Sequence, residues 1–206
     1  MLEFTNGRIG YFHGRFQPFH YGHLAVVQEA LQSCQTVALG LSNPFRLSPV
    51  VPEHFDQAAT ESLLKARRPE NNPWPYWARN LMIREALKQE GIDLQRIIVI
   101  PNLNGTGLPV DEVRFPKSMT AIYVCPKDAH NKATALKYRA DGWTVVEVVP
   151  SGGFLGSGLI RERIRRNESW EPLVPKGVAA VIKALGLDAS SLNDDGLQDC
   201  QTPLSS

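Results

Sequence analysis

Short apolar runs alternate with amphipathic stretches along most of this chain of 206 residues. The runs at 8–13, 36–41, 96–100, 119–125 and 143–149 are rich in β-branched and bulky apolar residues and are bounded by Gly, Pro, Asn or charge, which predicts buried strands. Between and after them, apolar positions recur at helical spacing over 22–33, 76–90, 130–141, 158–167 and 176–185, which predicts amphipathic helices. Strands separated by helices call for right-handed crossovers and an α/β architecture: a parallel sheet with helices on both faces. The sequence carries no internal repeat.

Two stretches leave this rhythm. Positions 43–72 form a long, proline-bearing connection with an amphipathic piece at 53–66; so long a connection inside a compact domain is usually functional, and a lid over substrate is one such role. From 188 to 206 the chain turns small and polar, as a disordered tail would be, leaving 1–187 as a single domain carrying the 43–72 insert.

Charge changes the picture little. The sequence has 22 Lys and Arg against 21 Asp and Glu, so a dedicated nucleic-acid surface is not expected, although a local basic pocket is compatible. Three cysteines, Cys34, Cys125 and Cys200, are too widely spaced for a disulfide framework or a zinc pattern. No apolar run approaches the roughly 18 residues of a membrane span, and no signal peptide is evident, so a cytoplasmic location without membrane partners is the expectation.

The chemistry concentrates where predicted strands give way to helices. After the first strand comes Gly14-Arg15-Phe16-Gln17-Pro18-Phe19-His20-Tyr21-Gly22-His23-Leu24, placing two imidazoles and an arginine at a helix start, where free amides and the helix dipole favour anions. After the fifth strand comes Pro150-Ser151-Gly152-Gly153-Phe154-Leu155-Gly156-Ser157-Gly158-Leu159-Ile160-Arg161, a second small-residue helix start. Arg161 is a cation near the wrong end of its helix unless an anion lies beside it, and its planar fork suits phosphate. His13 reads as a structural strand end, and Asp128 in Lys127-Asp128-Ala129-His130 as a helix cap, with ribose or magnesium contact as its other role.

His20-Tyr21-Gly22-His23 resembles the HxGH signature of the nucleotidylyltransferase superfamily, and the longer G-R-F-Q-P-F-H-x-G-H-L string resembles its archaeal-type nicotinamide mononucleotide (NMN) adenylyltransferase branch. That resemblance implies a Rossmann-like five-stranded parallel sheet in order 3-2-1-4-5. It implies transfer of a nucleoside monophosphate from a triphosphate to a phosphate-bearing acceptor, with magnesium carried by the phosphates and no protein metal site, and relatives that often form homo-oligomers. The catalytic candidates are His20, His23, Arg161 and Arg15. Gly14, Phe16, Pro18, Gly22, Ser157 and Gly158 join them as nucleotide-binding candidates. A non-catalytic nucleotide-binding regulatory module is the alternative from another class.

The second motif departs from the usual I-S-x-T-x-x-R, since Gly156 and Gly158 stand where Ser and Thr are usual. The stretch Asn72-Pro73-Trp74-Pro75-Tyr76-Trp77-Ala78-Arg79 resembles the N-P-F/W-x-x-x-E-R element, with Ala78 in place of glutamate. Its aromatics suit either a stacking wall or a core clamp. Asn72, Trp74, Arg79, Asn102 and Asn104 are the acceptor-binding candidates. No tryptophan lies between Trp77 and Trp143, where the resembling enzymes carry one that stacks on nicotinamide, and Cys125-Pro126-Lys127-Asp128 replaces their short S-G-N-like turn. ATP with NMN, giving NAD, is the first expectation for the reaction. CTP with a phosphonate or small phosphate ester is the second.

Overall fold

The computed structural model describes residues 8–43, 51–103 and 115–187. Five strands, β1 (Ile9–Gly14), β2 (Thr36–Ser42), β3 (Ile97–Asn102), β4 (Thr120–Val124) and β5 (Thr144–Glu147), form one parallel sheet in the order β3-β2-β1-β4-β5. The helices are α1 (Tyr21–Ser33), α2 (Gln57–Arg67), α3 (Tyr76–Gln89), α4 (Ala129–Ala140), α5 (Ser157–Arg165) and α6 (Lys176–Ala184). This is the expected fold. None of the described helices is long and apolar enough to cross a membrane.

Alternation along the strands divides two cores. Phe12, Ala121 and Tyr123 point into the larger cluster, which collects Leu24, Val27, Met82, Ile83, Ile160, Val178 and Ile182 from α1, α3, α5 and α6. Their neighbours Ile122 and Val124 point the other way, with Tyr11 beside them, and meet Ala135 and Tyr138 of α4. Each large aliphatic side chain buried this way contributes about 1.5–3 kcal/mol.

The insert is built onto the smaller core. Asp56 caps α2 by accepting from the Ala59 amide at 2.8 Å, and the helix packs on α4. After Arg67 the chain makes one 3-10 turn, Pro69–Asn71, beside the loop leaving β1. The amphipathic piece expected at 53–66 is therefore helical from Gln57, once Asp56 has supplied the cap. The tail from 188, Asn104 and Cys200 lie outside the described residues.

Candidate active site

β1 stops at Gly14, and the chain turns over the sheet edge to reach α1. Phe16 makes the turn at φ 50°, uncommon for a bulky residue. Its ring is fixed edge-on to Phe12 at 5.5 Å and to His23 at 4.9 Å. His20 then caps α1. Its Nδ1 accepts from the His23 amide, and His23 Nδ1 accepts from the His20 amide, both at 3.3 Å. Two imidazoles thus make a reciprocal capping box, with their rings stacked 3.6 Å apart. Because both Nδ1 atoms accept, each neutral ring carries its proton on Nε2. The Nε2 of His20 is buried without a partner, a donor held in place by the backbone behind it.

The second half of the site comes from α5, on the same sheet edge. Gly156 caps this helix with no side chain, leaving its first amides to other acceptors. Ser157 Oγ donates to the Pro18 carbonyl at 3.2 Å, and Arg161 Nη1 donates to the Gln17 carbonyl at 2.6 Å. Segments separated by 139 to 144 positions therefore meet at one point. Arg161 Nη2 also donates to Asn71 Oδ1 at 2.5 Å, while Arg15 Nη1 donates to the carbonyls of Ala66 and Asn71, both at 2.9 Å. The two arginines lie on either side of the end of the insert, and the Nε of Arg161 is buried without a partner.

These groups face a cavity of about 1020 Å³ that runs from the α5 start past β1 to α4. Seven Lys and Arg line it (Arg15, Lys65, Arg67, Lys117, Lys127, Lys137 and Arg161) against Asp128 and Asp141, so the space suits a polyanion. Both acids are engaged: Asp128 caps α4 through the Asn131 amide, and Asp141 pairs with Lys137. Burial, then the Lys127 charge, pushes His20 down to about 3. Burial, then His20, Lys127 and Arg15, holds His23 well below the usual imidazole range. Burial followed by Arg15 and Arg165 brings Arg161 down to about 10. At neutral pH the imidazoles are thus neutral donors and the arginines charged ones, crowded by one another.

A family model described as cytidylyltransferase-like matches residues 11–114, which run from β1 through β3. The chain belongs to the cytidylyltransferase-like family. Over 187 residues it is 29% identical to a phosphonoformate cytidylyltransferase of Streptomyces viridochromogenes, covering 87% of this chain and 92% of that one. It is 30% identical over 184 residues to a nicotinamide-nucleotide adenylyltransferase of Ignicoccus hospitalis, covering 85% and 91%, and 32% identical over 177 residues to one of Pyrobaculum aerophilum, covering 85% and 87%. A bifunctional NMN adenylyltransferase/ADP ribose pyrophosphatase of Francisella tularensis, solved with AMP and a manganese ion, shares the fold at a TM-score of 0.58 and 19% identity. This chain spans about half of that enzyme, with coverages of 87% and 49%. The protein is accordingly a nucleotidyltransferase.

Set in this cytidylyltransferase-like framework, most of the expected nucleotide-binding residues converge: Gly14, Arg15, Phe16, His20, Gly22, His23, Ser157, Gly158 and Arg161 all line the cavity. Pro18 does not; it is buried behind the loop and offers only its carbonyl, to Ser157. The acceptor group is mostly elsewhere. Trp74 is 1% exposed in the core, with its indole N–H reaching the Leu187 carbonyl at 3.3 Å, so the core clamp is what forms. Asn72 donates its Nδ2 to the carbonyls of Ala66 and Arg68, away from the cavity lining. Arg79, also buried, holds the carbonyls of Arg15, Ser42 and Asn43 and so positions the loop from behind. Of the acceptor candidates among the described residues, only Asn102, whose Nδ2 donates to Ser42 Oγ at 3.0 Å, lines the cavity.

Sequence reasoning overlooked Asn71, Arg67, Lys127 and His130 as cavity residues and took His13 as purely structural, although it too lines the cavity. Lys127 carried a signal, since it stands in the altered turn after β4. Asn71 and Arg67 carried none that helical spacing could reveal. Among the described residues no group of three or more His, Cys, Asp or Glu is placed to hold a metal ion.

Proposed function

We propose that the protein transfers a nucleoside monophosphate from a nucleoside triphosphate, supplied as its magnesium complex, to a small acceptor bearing a phosphate or phosphonate. The observation that carries this is the meeting of the locked His20–His23 pair with Arg161 in one cation-lined cavity. An acceptor oxygen forms the new bond to the α-phosphorus, the bond from that phosphorus to the oxygen bridging to the β-phosphorus breaks, and pyrophosphate leaves with the electron pair. A fully ionised phosphonate or phosphate needs no general base, so the protein's work is orientation and stabilisation of growing charge. The Nε2–H donors and the Arg161 fork suit that task.

CTP with a phosphonate or small phosphate ester is the favoured pair. The pyridinium of NMN is a cation and would enter a cavity already carrying seven Lys and Arg, and the tryptophans of the 74–77 stretch, one in the core and one outside the cavity lining, do not supply a stacking ring. ATP with NMN is the second reading, supported by a different feature: Tyr11, Phe115, Tyr138 and Trp143 line the far end of the cavity with aromatic surface.

Incubation with each triphosphate and a panel of acceptors, reading pyrophosphate release, tests both. The favoured reading expects CTP with a phosphonate to exceed ATP with NMN; the reverse order selects the second. Silence with every pair would overturn transfer activity. In the active pair His23→Ala should lower kcat by about two to three orders of magnitude, the usual consequence of losing one donor to developing charge.

A further inference from the structure

The two arginines of the phosphate end of the cavity are anchored by neutral oxygens. Arg161 donates to the Gln17 carbonyl at 2.6 Å and to Asn71 Oδ1 at 2.5 Å. Arg15 donates to the carbonyls of Ala66 and Asn71, both at 2.9 Å. None of the salt bridges among the described residues includes either guanidinium. Of these acceptors Asn71 alone serves both arginines, Arg161 through its side chain and Arg15 through its main chain.

Asn71 ends the 3-10 turn that closes the insert, and it is itself held firmly. Its N–H donates to the Arg68 carbonyl at 3.0 Å and its Nδ2 to the Lys65 carbonyl at 2.9 Å, while the carbonyl before it, that of Glu70, accepts from Arg165 Nη2 at 3.0 Å. The amide can face only one way. The Lys65 carbonyl requires a donor, and the guanidinium, which accepts nothing, requires an acceptor. The side-chain oxygen is thereby fixed toward Arg161. Direction matters here because like charges crowd: Arg15 and Arg165 press on Arg161. A guanidinium without an anchor would turn from its neighbours and carry away the Nε–H that is now buried without a partner. A carboxylate in the same place would anchor it more strongly, but would cancel the charge that a phosphate meets. An asparagine orients the fork and leaves its charge in force.

We infer that Asn71 is a positioning residue for the triphosphate: its side-chain oxygen directs the Arg161 fork and its carbonyl directs Arg15, so that the remaining N–H groups of both meet the phosphates already arranged. By this account the end of the insert braces the phosphate site, and a neutral acceptor at this position is what lets it do so. The inference rests on the reading of this cavity as a triphosphate site, yet its test requires binding only, not turnover.

Titration calorimetry of the full chain with the magnesium complexes of α,β-methylene-CTP and α,β-methylene-ATP provides the test, with folding of each variant checked by thermal melting. Asn71→Ala should weaken the better-bound analogue by about tenfold, the scale of one hydrogen bond to a charged group. Asn71→Gln still offers an amide oxygen and should regain part of that loss. Asn71→Asp keeps an oxygen in place but pairs its charge with Arg161, and should bind at least as weakly as Asn71→Ala. In an Arg161→Gln background the cost of Asn71→Ala should shrink to within about twofold, because the group it acts through is gone. Arg161→Lys supplies the same cycle should Arg161→Gln not fold. A merely structural Asn71 would cost the same in both backgrounds, as Asn72→Ala should, since Asn72 ties the same turn to Ala66 and Arg68 without bonding either arginine. Equal costs in both backgrounds, or an Asn71→Asp variant that binds as the wild type does, would overturn this inference alone. Failure of the wild type to bind either analogue would overturn the triphosphate reading and this inference with it.

Discussion

His20 does two jobs with two different nitrogens. Its Nδ1 accepts the His23 amide and closes the start of α1, while its Nε2 is the donor left buried at the cavity. The jobs separate by substitution. Asparagine is among the preferred N-cap residues and accepts the same kind of amide bond, but it has no donor at the Nε2 position. His20→Asn should therefore keep stability within about 0.5 kcal/mol of the wild type while kcat falls by roughly 10²-fold or more, whereas His20→Ala should lose the rate and also about 1 kcal/mol of stability. Chemical denaturation beside pyrophosphate kinetics checks the split, and equal stability losses in both variants would refute it. The spacing of His20 and His23 was legible because both belong to one helical turn. The roles of Trp74 and Arg79 were not, because each is set by a distant partner: the Leu187 carbonyl for one, the carbonyls of Arg15, Ser42 and Asn43 for the other.

Among the elements, the strands and helices follow the apolar period within a few residues at their ends, and the sheet order follows from the crossover rule and the resemblance together. What period does not report is how closely two helices approach. Gly177 lies in the first turn of α6, where a weak helix former looks like a local defect. In the fold it lets α6 press on α3: a Cβ there would stand 2.5 Å from the Glu85 carbonyl and 2.7 Å from the Ala86 nitrogen, both backbone atoms that cannot swing aside. Gly177→Ala should gain the intrinsic helix preference of alanine and still destabilise the protein, by about 1–3 kcal/mol, because overpacking outweighs propensity. The urea midpoint should fall, with kcat per folded molecule unchanged, since α6 does not line the cavity. A midpoint that rises would mean the helices separate freely. The same blindness hid where the end of α2 lies. Its amphipathic pattern announced a helix, but only its packing on α4 shows that its end delivers Arg67 to the cavity.

At the scale of the whole molecule, a cavity crowded with cations makes stability and ligand binding respond to pH in opposite ways. His20 and His13 are held neutral by burial and by neighbouring charge down to about 3 and about 4, whereas in the unfolded chain they take up protons near 6.5. Between those limits the unfolded state binds more protons than the folded one, so acid favours unfolding. Each such histidine contributes a loss of up to about 1.4 kcal/mol per pH unit across the window. The free protein should thus lose stability steadily from about pH 6.5 toward 4, and His20→Asn should flatten that slope. A bound triphosphate reverses the local field. Its negative charges favour the imidazolium forms, so nucleotide binding at pH 6 should take up protons and should tighten as pH falls toward 6. Calorimetry of nucleotide binding in buffers of different ionisation enthalpy measures the uptake, and melting temperatures with and without nucleotide across the same pH range measure the rescue. A stability profile that is flat between pH 6.5 and 4 would show that burial does not hold these imidazoles neutral, and nucleotide binding without proton uptake would show that they do not face the triphosphate.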